Sequence, residues 1–291
     1  MFTQNTFMYK IHSFLLCFWL VFPLPAQVLQ STVVHFSTGQ PIPFVNIGII
    51  GKNLGTVSDE EGKFSLEAPK TGWSSSDTLR FSAIGYQSVD VVLLHEKELP
   101  KSIYLKPFTL TLPTVVINPK KFKRPKVLGH RNNSPKMVFY FQSNRLGTEL
   151  CNRIEVKKGS YYLKKAHFNI AQNKFGELFF RVHVYENAEG KPGKNLLPKD
   201  LIVSSELKSG TLSVDLAPYN LVVEDDFFIG LEWVKTLNKG NISKDLQFCI
   251  GLGQDGGIFT KTTSQASWKE QSQQKFGFKA HLGFYVEGAQ E

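Results

Sequence analysis

Cysteine is scarce in this chain: three occur in 291 residues, and one of them, Cys17, sits inside the first apolar run. No Cys-x-x-Cys pair occurs, which excludes zinc ribbons and dithiol redox centres of that spacing. The seven histidines, at 12, 35, 95, 130, 167, 183 and 281, form no His-Glu-x-x-His pattern, so a zincin-type metal helix is excluded as well. There is no Gly-x-Ser-x-Gly elbow, and Gly251-Leu252-Gly253-Gln254-Asp255-Gly256-Gly257 is not followed by a helical pattern that could cradle a phosphate. After Phe22 no apolar stretch approaches the roughly 20 residues that a membrane-spanning helix needs. Helical periodicity is missing almost throughout, and with it any recognition helix for nucleic acid.

What is present begins with a leader. Met1 to Ala26 carries Lys10, an apolar run from Phe14 to Phe22 and then Pro23-Leu24-Pro25-Ala26, the layout of a signal peptide cleaved near Ala26. The expectation is an exported protein, soluble once processed, in the periplasm, at the outer membrane or on the cell surface. In such a compartment Cys151 and Cys249 could bridge, or could remain two buried thiols. The formal charge is +9, and loss of Lys10 with the leader would leave 33 basic against 25 acidic residues. That excess favours anionic surroundings such as lipid headgroups or acidic glycans. Apolar residues make up 42% and phenylalanine alone contributes 24 side chains, enough for more than one core.

From Val28 to Leu105 short β-branched runs alternate with turn residues, as in a small sandwich. Val45, Ile47 and Ile49 share one face of a strand, and Ser58-Asp59-Glu60-Glu61-Gly62 reverses the chain into Lys63-Phe64-Ser65-Leu66. Gly39-Gln40-Pro41-Ile42-Pro43-Phe44-Val45-Asn46-Ile47, Gly55 to Phe64 and Phe81-Ser82-Ala83-Ile84-Gly85-Tyr86 resemble the carboxypeptidase-regulatory-like domain found in Bacteroidetes envelope proteins. The resemblance covers about residues 27–108. It implies a transthyretin-like, seven-stranded sandwich of the prealbumin type that carries no catalytic residues of its own.

Prolines 107, 113, 119, 125 and 135 and the basic run Lys120-Lys121-Phe122-Lys123-Arg124-Pro125-Lys126 mark residues 109–136 as an extended linker. That run is either a solvated connector or an electrostatic site for an anionic lipid or glycan. Thr114 to Ile117 could add an edge strand. Residues 137–291 then show about eight strands, the pattern of a jelly-roll-like sandwich. Leu178, Phe180, Val182 and Val184 alternate with Phe179, Arg181, His183 and Tyr185, so one face belongs to a core and the other is mixed. Arg181-Val182-His183-Val184-Tyr185 and Asp226 to Trp233 resemble the uncharacterised C-terminal part of the same Bacteroidetes proteins, which implies no activity.

No catalytic motif emerges, and the expectation is a non-enzymatic envelope protein whose partner is another protein or a glycan. Trp268, Trp73 and Tyr219 fall in or beside loops and could stack on sugar rings, with Trp268 the one expected to be exposed; packing is the alternative for each. His167 and His183 could meet if their strands pair. Calcium is a weak prospect at Asp255, at Asp59-Glu60-Glu61 or at Glu224-Asp225-Asp226. A hydrolase would need carboxylates brought together from distant strands.

Overall fold

A computed structural model describes residues 27–69, 71–93, 99–108, 122–141, 143–237, 245–253, 256–271 and 279–291. Residues 1–26, where the signal peptide is expected, His95, Thr114 to Ile117 and Asp255 lie outside the described residues. Among the described residues the chain is all-β: every named element is a strand apart from the 3-10 turn Ala217–Tyr219.

Among the described residues the N-terminal unit has seven strands: β1 (Val28–His35), β2 (Asn46–Ile49), β3 (Gly55–Val57), β4 (Lys63–Glu67), β5 (Thr78–Ser82), β6 (Val89–Val92) and β7 (Ser102–Leu105). They form a three-stranded sheet, β4-β1-β7, and a four-stranded sheet, β3-β2-β5-β6. Alternation dictates the packing: in β4 Phe64 and Leu66 turn inward while Lys63, Ser65 and Glu67 face solvent. A core that includes Leu29, Val33, Ile47, Phe81 and Leu105 fills the space between the sheets. The acidic turn before β4 closes through Asp59, whose carboxylate accepts from the Lys63 amide at 2.8 Å. Gly62 there has φ +70°, and a Cβ would stand 2.4 Å from the Val33 carbonyl, so only glycine suits the site.

Among the described residues fifteen further strands build the C-terminal unit, nearly twice the number that sequence patterning suggests. They are β8 (Arg124–Gly129), β9 (Val138–Phe139), β10 (Glu149–Ile154), β11 (Tyr161–Asn173), β12 (Leu178–Ala188), β13 (Lys191–Asn195), β14 (Ile202–Ser205), β15 (Gly210–Asp215), β16 (Val222–Val223), β17 (Phe227–Thr236), β18 (Leu246–Gly253), β19 (Ile258–Lys261), β20 (Lys269–Glu270), β21 (Lys279–Leu282) and β22 (Phe284–Gln290). One sheet runs β13-β12-β17-β10-β19-β20 with β14 on β12; the other runs β21-β18-β11-β22-β8 with β15, β16 and β9 joined to its inner strands. Phe168, Phe180, Phe248, Phe284 and Leu231 interlock between the sheets.

Part of the expected linker is therefore a strand. Arg124 to Gly129 pairs with β22 from Gln290 back to Tyr285, and Pro125 is tolerated because β8 is the terminal strand of its sheet. Cys151 and Cys249 are both free and buried. Their neighbours Leu150 and Phe248 point into the shared core, so the two thiols leave the sandwich on opposite faces and cannot approach to the distance a bridge requires.

Candidate functional site

The outer face of the seven-stranded sheet is not solvated, because the N-terminal unit lies against it. Lys235 Nζ reaches Glu60 at 2.5 Å, Thr262 Oγ1 donates to Asn53 Oδ1 at 2.9 Å, and Gln265 Nε2 donates to Ser82 Oγ at 3.1 Å. Side chains that alternate outward on β10, β12, β17 and β19 are thereby shut in: Glu149, Arg181, His183 and Glu232 are all buried.

Register assembles them. Arg181 stands opposite Glu232 across β12 and β17, and Glu149 stands opposite Glu232 across β10 and β17. The Arg181 guanidinium donates to Glu232 Oε2 at 2.9 Å, lies 3.1 Å from Asp200 Oδ1, and donates its remaining arm to the Phe44 carbonyl of the N-terminal unit. His183 Nε2 lies 2.9 Å from the same Glu232 oxygen. Its Nδ1 faces Asn195 Nδ2 at 3.0 Å, and the Asn195 carbonyl oxygen accepts from the Leu197 amide. The Asn195 amide is thus oriented to donate, so Nδ1 accepts and Nε2 carries the hydrogen given to Glu232. Lys261 completes the row, 3.3 Å from Glu149 and 4.4 Å from the Trp268 ring centroid.

Burial alone would push the Glu232 carboxyl upward, but the Arg181 charge and the His183 hydrogen bond outweigh it and hold it at about 2. Asp200 moves the other way, raised chiefly by burial. Burial and the neighbouring Glu149 carboxylate push the Cys151 thiol well up, which makes it a poor nucleophile.

One ligand-capable atom from each of Glu149, His183 and Glu232 lies within 4.8 Å of the others, a donor set that could in principle hold a divalent ion. Two features oppose that use. Arg181 and Lys261 already place cationic groups on the two carboxylates, and His183 presents an N–H rather than a lone pair to the cluster. The arrangement is chemically an ion-pair network that joins two β units. Its residues could exchange a proton among themselves, but they are closed off from any substrate of appreciable size.

The aromatic candidates part company. Trp268 is half-buried, edge-on to Tyr185 at 5.7 Å and beside Cys151, Phe228 and Phe259, instead of standing free in its polar stretch. Trp73 packs on the N-terminal core, and Tyr219 packs on the C-terminal core with Lys199 5.9 Å above it. They line no common surface. His167 lies on β11 and His183 on β12, in different sheets; His167 instead stacks on Tyr285 at 4.4 Å. The acidic clusters are committed to protein groups: Glu60 to Lys235, Glu224 to Ser160 at 2.7 Å, and Asp226 to Arg153 at 2.6 Å.

Sequence reasoning singled out His183 but missed Glu149, Arg181 and Glu232 as a group. The available signal was the alternation in β12, which places Arg181, His183 and Tyr185 on one face. No curated protein and no solved structure is similar enough to count as a match. A family model does match at residues 29–117, which makes the N-terminal sandwich a CarboxypepD_reg-like domain.

Proposed function

We propose that the protein is an exported, non-catalytic component of a bacterial cell envelope, in which the N-terminal sandwich docks a partner protein and the C-terminal sandwich holds it rigidly. The observation that carries this reading is an aromatic pair at a sheet edge. β7 is a terminal strand of its sheet, and Phe36 and Tyr104 stand there 54% and 53% exposed, edge-to-face at 6.5 Å. Lys106 Nζ lies 4.8 Å over the Phe36 ring. Exposed rings beside a cation, on a strand whose far edge has no pairing partner over Ser102–Leu105 among the described residues, suit capture of a protein chain. The charged junction favours a fixed relation between the two units, since Arg181, Lys235 and Gln265 each bond across it.

A photo-crosslinking residue in place of Tyr104, in the full chain expressed in its native envelope, tests the docking role. One discrete protein adduct, lost when Phe36→Ser is added and missing from the same probe at Lys63, is the expected result. No adduct at position 104, together with saturable binding to a glycan array, would replace this reading with a carbohydrate-binding one.

A further inference from the structure

The outer face of the other sheet offers a second, unrelated site. β8, β22 and β11 lie side by side, and their outward residues form a shallow groove bounded by Lys126, Val127, Arg131, Lys164, Lys165 and Glu287. Four cations thus surround one carboxylate. Glu287 is already engaged by Arg131 at 2.7 Å. Among the described residues Lys126, Lys164 and Lys165 have no carboxylate within ion-pair distance, although Asp215 and Glu287 stand opposite Lys165 across the ladder. The irregular register of β11 between Leu163 and Lys165 sets two consecutive lysines at the rim. Gly288 keeps the groove floor low, since a Cβ there would meet the Tyr162 carbonyl at 2.2 Å.

Beneath the groove the framework is stiff. Arg131 lies over Tyr285 at 5.2 Å, and Tyr285 stacks on His167 at 4.4 Å. His167 is 9% exposed at its side chain, and its Nε2 has no hydrogen-bond partner and points toward Glu287 at 3.6 Å. A buried ring nitrogen aimed at Glu287, the one acidic residue among those that line the groove, beside four cations, makes a site whose described lining carries more positive than negative charge. The walls contributed by Pro125 and Val127 are apolar. A ligand that satisfies both features carries a compact, highly charged anion on a carbon-rich body.

We propose that this groove binds a phosphate ester, with the phosphoryl oxygens received by Arg131, Lys164 and Lys165 and the esterified carbon body against Val127. The source of the ester is either an anionic lipid headgroup or a soluble phosphorylated metabolite. The inference does not rest on the docking role of β7, which belongs to the other unit.

Titration of the chain, residues 27–291, with glycerol phosphate, with inorganic phosphate, and with phosphatidylglycerol or phosphatidylcholine vesicles tests it. Binding to glycerol phosphate or to phosphatidylglycerol vesicles, weakened about 30-fold by Lys164→Gln with Lys165→Gln, is the expected result. Soluble ester binding alone points to a metabolite, and preference for the vesicles points to a headgroup. The control Lys63→Gln with Lys191→Gln removes the same charge elsewhere and should leave binding within about twofold. Equal weakening by both pairs would reduce the effect to net charge and overturn the site, as would absence of binding in all four titrations. Binding of inorganic phosphate as tight as that of glycerol phosphate would also overturn it, because the carbon body would then contribute nothing.

Discussion

Arg181 and Phe44 sit in different β-sandwiches, and the guanidinium of the first donates to the carbonyl of the second. Phe44 holds φ at +54°, a left-handed conformation that is costly for a bulky residue. The same guanidinium neutralises Glu232. One side chain therefore ties the charge balance of the C-terminal unit to the backbone of the N-terminal one.

Arg181→Met should accordingly destabilise the chain by about 3–5 kcal/mol, because it leaves the Glu232 carboxylate buried and uncompensated. Adding Glu232→Met should recover much of that loss, since two apolar side chains of similar size need no counter-charge. Denaturant unfolding of the two single variants and the double checks this. A double variant weaker than Arg181→Met would mean that Glu232 stabilises the fold through His183 even without the guanidinium.

Acid should loosen the same junction. Glu232 is held at about 2 against an ordinary 4.5, so its contribution is fully present above about 4.5 and is lost as pH falls toward 2. A shift of that size corresponds to roughly 3 kcal/mol. Asp200 has the opposite sign: its raised value means that protonation favours the folded state as pH falls. Glu232→Gln should flatten the acid limb of a stability–pH profile, and Asp200→Asn should steepen it. Parallel profiles for both variants would remove these carboxylates as the cause.

The strand pattern was legible wherever one face was purely apolar. Leu178, Phe180, Val182 and Val184 mark β12 without help from anything distant, and Phe227, Ile229, Leu231 and Trp233 mark β17. β10 was not legible, although it is central to its sheet. Its inward Asn152 is polar because the carboxamide oxygen accepts from the Leu282 amide in the facing sheet at 2.9 Å. Its outward Glu149 and Arg153 read as solvent-facing. Alternation separates two faces of a strand but does not tell water from a second domain on the polar one. For that reason the ion-pair network was invisible until the N-terminal sandwich was placed over it, and Trp268 looked exposed.

Trp268 makes a sharper test of packing than of sugar binding. It lies across Lys261 and Tyr185, so Trp268→Ala should cost about 2 kcal/mol, less than a fully buried tryptophan. Lys261 would lose the nearer of its two aromatic partners but keep Glu149 and the Tyr185 ring, 5.7 Å away. Thermal unfolding of Trp268→Ala beside Trp268→Phe checks the point; an unchanged midpoint in the alanine variant would mean that the ring does not seal the cluster.

Cys151 owes its place to Gly230. The two residues face each other across β10 and β17, and a Cβ on Gly230 would lie 2.2 Å from the Cys151 sulfur and 2.8 Å from the Leu150 carbonyl. Gly230→Ala should therefore destabilise the fold by about 1–3 kcal/mol through overpacking. Cys151→Ala should relieve only part of this, because the carbonyl contact remains. With a buried thiol pushed well above its ordinary value, Cys151 should also resist alkylation in native protein and react fully in denaturant. Rapid labelling of the native chain at Cys151, read by peptide mass, would show that the interface above it opens. In that event Gly230→Ala should raise the labelling rate further, because the Cys151 sulfur can swing away from the added methyl only when that interface lifts.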